Sequence, residues 1–147
     1  MTETMLAEPS AILAHVSVGT NDFAKARAFY IAVMETIGAN VIMDLEFGQN
    51  VGAIAFGKQH PEFWVQSPHD QAAATAGNGV HVAFQASSKE MVHAFWDKAL
   101  EMGATPDGEP GPRPHYSESY YGCFVRDLDG NKIEAVHIAI FDEFKGD

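Results

Sequence analysis

Two histidines and one glutamate stand where strand-like sequence would carry them. They are His15 in ILAHVSV (12–18), His81 in VHVAFQ (80–85) and Glu134 in NKIEAVHI (131–138). Imidazole nitrogens and a carboxylate are the donors that an open zinc site or a facial triad on iron(II) uses. A lone strand histidine is more often a hydrogen-bonded structural residue. These two, however, occupy the same position of an internal repeat, which marks them as a pair. A second group, Arg113, His115, Tyr116, Tyr120 and Tyr121, lies in and after the Pro/Gly-rich run TPDGEPGPRP at 105–114. At the mouth of a cavity such a loop would offer a guanidinium, an imidazole and two phenols, Tyr120 and Tyr121, to an anionic or oxygen-rich substrate. Imidazole ordinarily titrates near neutrality, so His115 joins Glu134 as a candidate for proton transfer.

The elements that must position these residues repeat once. His15-Val16-Ser17-Val18 and His81-Val82-Ala83-Phe84 lie 66 residues apart, as do Ala28-Phe29-Tyr30 and Ala94-Phe95-Trp96. With one residue of slip, Ile37-Gly38-Ala39 matches Met102-Gly103-Ala104. Each copy opens with a β-branched, alternating strand and runs into a capped helix. The caps are expected within Thr20-Asn21-Asp22 and Ser87-Ser88, where Ser87 with Glu90 three residues on fits the pattern of a capping box. Phe23, Ala26, Phe29, Tyr30, Val33, Met34 and Ile37 recur at helical spacing. So do Met91, Val92, Phe95, Trp96, Ala99, Leu100 and Met102, and both stripes end at a glycine, as helices facing a core do.

Extended segments follow at 40–46, 51–56 and 62–66, then at 119–125 and 131–138, the last two joined by a hairpin at 126–130. The order is βαβββ twice, in half-modules at about 11–66 and 79–138 of a single domain, 1–147. The expected class is α+β, a curved, cup-shaped mixed sheet with the helices outside. Period-two alternation turns Val16, Val18, Val82, Phe84, Ile133 and Ala135 toward the helices. His15, His81 and Glu134 then share the opposite face, the inside of the cup. His60, His69 and His93 read as solvated, and His137 has the wrong parity for that face. Cys123 reads as a buried small hydrophobe. Asp127–Asn131 reads as a hairpin, its glycine being misplaced for a calcium loop.

Composition narrows the function classes. Nine Lys+Arg against twenty Asp+Glu give a net charge of −11, the wrong sign for a phosphate backbone or anionic lipid. The sequence has no apolar run long enough to span a bilayer, no leader-like N-terminus, and one cysteine; cytoplasmic location is expected. GxGxxG, P-loop, GxSxG and CxxC patterns do not occur.

HVSVGTNDFAKARAFY, GVHVAFQASSKEMVHAFWDKALEMGA and above all RDLDGNKIEAVH resemble the vicinal oxygen chelate superfamily of glyoxalases, bleomycin resistance proteins and extradiol dioxygenases. The resemblance spans about residues 11–138. It implies paired βαβββ modules and a divalent ion (Zn, Fe, Mn or Ni) held by His15, His81 and Glu134. It further implies a lyase or dioxygenase acting on a small substrate chelated through vicinal oxygens, in a homodimer. The alternative it carries is a metal-free protein that sequesters a small molecule. Where glyoxalase I has a fourth ligand, this chain has Trp64, an indole that cannot ligate and would instead form an apolar wall against the substrate.

Overall fold

The computed structural model describes residues 7–139, so the first six residues, part of the stretch read above for a leader, lie outside it. β1 (Val16–Gly19), α1 (Phe23–Glu35), β2 (Asn40–Gly48), β3 (Val51–Gly57) and β4 (Phe63–Gln66) form the first half. β5 (His81–Gln85), α2 (Lys89–Glu101), β6 (Thr105–Pro106), β7 (Gly111–Pro112), β8 (Tyr121–Arg126) and β9 (Lys132–His137) form the second. The sheets run β1-β4-β3-β2 and β5-β9-β8-β6, with β7 also on β8. Both are mixed: β1 is parallel to β4 and β5 to β9, the other pairs antiparallel. This is the expected α+β architecture of two repeated units, the first βαβββ and the second with its third-from-last strand position split into the short β6 and β7, and neither sheet closes on itself.

β1 is shorter than residues 12–18 suggested. Its ladder starts where Val16 N–H donates to the carbonyl of Glu62. Pro61, just before, has no N–H and β4 begins only at Phe63, so residues 12–15 have no strand beside them. His15 therefore precedes the strand. Of the two serines expected to cap the second helix, Ser88 is the one that accepts from the N–H of Met91, so the cap is not the Ser87 of the capping-box pattern. Asp22 caps α1 through the N–H of Lys25. The proline-rich run is not strandless, since β6 and β7 each lay two residues along β8.

The stripe on α1 is buried throughout, while Met91, Trp96 and Leu100 of α2 and Met102 just after it remain half-buried. Burying side chains of this size stabilises by about 1.5–3 kcal/mol each before entropy is counted. The two halves share this core. Ring centroids of Tyr30 and Phe63 lie 5.2 Å apart, Phe63 and Phe84 4.8 Å, Phe84 and Phe95 6.2 Å, a run that crosses from one half to the other.

A polar clasp reinforces it. The Tyr30 hydroxyl donates to Asp127 Oδ2 at 2.5 Å, and Asn131 Nδ2 donates to the carbonyl of Gly19. Asp127 Oδ1 accepts the N–H groups of Asp129 and Asn131, which builds the hairpin expected at 126–130. Burial, then the adjacent Asp127 charge, push the Tyr30 phenol well above its ordinary value of 10.0. The folded chain thus holds this proton to higher pH than the unfolded chain. Its contribution is complete below pH 10 and lost as pH rises beyond it. Urea midpoints measured across that range are expected to fall more steeply for the parent than for Tyr30→Phe; equal slopes would rule Tyr30 out.

Candidate functional site

Glu134 sits in β9 between Ile133 and Ala135, whose side chains face α2 and the core, so its own points to the opposite face. It is 0% exposed all the same. His81, at the head of β5, brings Nε2 to 3.2 Å from Glu134 Oε1. The Tyr120 hydroxyl donates to Glu134 Oε2 in a short hydrogen bond. Gly122, beside them in β8, leaves the necessary space: a Cβ there would stand 3.1 Å from Oε2. Burial and the Glu134 carboxylate raise the Tyr120 phenol far above its usual value, so it is a firm proton donor to that oxygen. His81 remains 44% exposed at its side chain, which makes the imidazole the open side of the group.

Phe124 pairs with Glu134 across β8 and β9 and lies on the same face. The His81 ring is 6.0 Å from it, Lys132 Nζ 4.9 Å and the Arg113 guanidinium carbon 5.7 Å from its centroid. Lys132 and Arg126 share Asp107 as ion-pair partner. Arg113 instead donates to the carbonyls of Pro112 and Glu109. At Gly108 φ is +148° and a Cβ would meet the Phe124 ring at 2.9 Å, which a larger residue could not accommodate.

The other expected residues are placed as follows. His115 is exposed and its ring lies tilted against Tyr116, with centroids 4.1 Å apart, and Tyr116 meets Tyr120 edge-on at 5.0 Å. His115 thus reaches Glu134 only through two intervening rings. Tyr121 does not join Tyr120. Strand parity turns it to the helix side, where its hydroxyl lies 2.7 Å from His93 Nε2 and Lys89 covers its ring. Trp64 is half-buried and pairs with Ser17, as Glu134 pairs with Ala83, so the indole holds the repeat position of the glutamate. Cys123 is buried against α2, and desolvation pushes its thiol up to about 11, an inert group.

His15 and His81 both line a cavity of ≈ 480 Å³ between the halves, whose walls include neither Glu134 nor Tyr120. Among the described residues no three His, Cys, Asp or Glu side chains converge closely enough to hold a metal ion. His81 and Glu134 fit two positions of a divalent ion's shell, and His15 is not gathered with them. His60, read as solvated, lines the same cavity. Its position in the tight turn after Gly57, where His60 O would stand 1.9 Å from a Cβ, carries no sequence signal beyond that glycine.

The chain matches the family model of the Glyoxalase/Bleomycin resistance protein/Dioxygenase superfamily over residues 12–135. It belongs to this superfamily. Among solved structures, a glyoxalase/bleomycin resistance protein from Albidiferax ferrireducens T118 is 31% identical. That match covers 87% of this chain and 99% of that one, with a TM-score of 0.73. A fosfomycin resistance protein, FosX, from Listeria monocytogenes is similar at 16% identity, 91% and 98% coverage and a TM-score of 0.62. A lactoylglutathione lyase from Agrobacterium tumefaciens follows at 19%, 91%, 98% and 0.61. At these lower identities the likeness is one of fold. No curated protein sequence matches significantly. Among the described residues, this superfamily member has no helix long and apolar enough to cross a membrane.

Proposed function

We propose that the chain is a divalent-metal-dependent enzyme of the vicinal oxygen chelate type, acting on a small oxygen-rich substrate. The observation that carries this is the His81–Glu134 pair, a neutral-type donor and a carboxylate 3.2 Å apart at repeat-defined positions. His81 and Glu134 would hold the ion, with His15 drawn across the cavity as third donor. A bound ion of this kind polarises substrate oxygens and favours loss of a neighbouring proton. Glu134 would take that proton once His81 or the ion has freed one of its oxygens, while the Tyr120 hydroxyl, which keeps its own proton, holds Oε2 by a hydrogen bond. Trp64 gives the first half an apolar wall where the second half has a carboxylate. From the superfamily we extend the reading to a homodimer and to the cytoplasm.

One observation favours the sequestering alternative. Both Glu134 oxygens are already engaged, by Tyr120 and by His81, and the carboxylate is sealed from solvent. An ion must displace at least one of those partners. The test is metal content after loading with Zn, Mn, Ni or Fe(II) and exhaustive dialysis, for the parent and for His81→Ala and His15→Ala. The enzyme reading expects near-stoichiometric retention by the parent of at least one ion, lost in His81→Ala and weakened in His15→Ala. A parent that retains none of the four supports sequestration instead.

A further inference from the structure

Among the described residues β1 pairs only with β4 and β5 only with β9, which leaves one edge of each without a described partner strand, and Val16 and all of β5 border the ≈ 480 Å³ cavity between them. Sites for small organic molecules span roughly 300–1000 Å³. The floor is apolar and comes from the helix side of both sheets and the end of α1: Met34, Ile37, Phe56, Phe63 and Phe84. At the mouth stand Leu13, 73% exposed, and Lys58 on the turn between β3 and β4.

We infer that this cavity binds an amphipathic monocarboxylic acid, its aliphatic or aromatic body on the Phe56–Phe63–Phe84 floor and its carboxylate at Lys58. Lys58 is the one Lys or Arg among the lining residues, in a chain of net charge −11. Its ammonium has no ion-pair partner among the described residues. The one acid among the lining residues, Glu62, does not pair with the ammonium but is tied to the turn, its Oε2 accepting the backbone N–H of Lys58. A Cβ on Gly38 would stand 3.8 Å from Lys58 Nζ, so the charge lies over the end of α1, beside the residues that form the floor. Apolar floor and unpaired cation thus meet at one mouth, which suits a ligand with one hydrophobic and one anionic end. A purely polar ligand would leave the floor dry and uncovered. The inference shares His15 and His81 with the metal reading, since both line the cavity, but its apolar floor and Lys58 take no part in that reading.

Dansyl-labelled undecanoic acid, titrated into the full chain and followed by fluorescence, tests it, with its neutral methyl ester as comparator. The parent is expected to bind the acid saturably with a blue-shifted emission. Lys58→Glu should weaken the acid by about tenfold or more and the ester by less than about twofold. Ala39→Trp, which places an indole in the cavity, should abolish both; Ala14→Trp, on exposed chain at the mouth, serves if the first does not fold. Acid binding is measured on the parent after dialysis against a chelator, so failure here and failure of metal retention are read separately. Absence of saturable binding to the parent overturns the inference. So does binding to Lys58→Glu, or to a folded tryptophan variant, as tight as to the parent.

Discussion

Glu134→Gln is expected to retain divalent metal at least about tenfold more weakly than the parent, measured as metal content after loading and dialysis. The reason is charge. Glu134 is the anionic member of the His81–Glu134 pair, and an amide keeps the shape while removing the charge. The substitution also has a structural cost that its place on the face away from the helices conceals. A polar group lining an open cavity would carry little packing, and its loss would leave the fold intact. Glu134 is instead 0% exposed, with Tyr120 donating to one oxygen and His81 at the other. Glutamine can still accept from Tyr120 through its oxygen and donate to His81 through its amide. The expected loss is therefore small, about 1 kcal/mol. Glu134→Ala orphans the Tyr120 hydroxyl and should cost about 2–3 kcal/mol in chemical denaturation. If Glu134→Gln retains metal as tightly as the parent, the chelating pair is misassigned.

Asp127→Ala is expected to cost more stability than any substitution at the site, about 3–5 kcal/mol. Asp127 is 5% exposed, and its two oxygens accept four donors: the Tyr30 hydroxyl, two backbone N–H groups and the Asn131 amide. Removing the carboxylate leaves all four to find new partners inside the join between the halves. Tyr30→Phe removes one donor and leaves the carboxylate with three, so its cost should be nearer 1 kcal/mol. Combined in a double-mutant cycle, the pair should be non-additive, because Tyr30→Phe relieves an orphan that Asp127→Ala creates. Urea denaturation of the four proteins measures this. Additive effects would show that the hairpin, and not the Tyr30 contact, accounts for Asp127.

The arithmetic of repeats and periods made much of the fold legible. The 66-residue offset predicts equal halves, and the spacing of Phe23 through Ile37 predicts which face of α1 is buried, because a helix has one period and one apolar side. The parity of Ile133, Glu134 and Ala135 predicts which way Glu134 points, because a strand alternates. Setting PEFWVQSP against NKIEAVH places Trp64 against Glu134, as the register bears out through Ser17 and Ala83, which do lie at the 66-residue offset. Where prediction stopped was at pairing and at loops. Residues 12–15 carry strand-like side chains, yet strandedness requires a neighbour, and Pro61 denies them one. Tyr120 and Tyr121 are adjacent in sequence and both aromatic, but the start of β8 between them sends one to Glu134 and the other to His93. His15 and His81 are equivalent in the repeat, but only His81 stands beside a buried carboxylate, because β9 has a glutamate where β4 has an indole. Alternation along a strand is local and can be read from one segment. Which strand edges border a cavity, and which cation is left unpaired at its mouth, depends on how the two sheets settle against α1 and α2, and only the tertiary structure decides that.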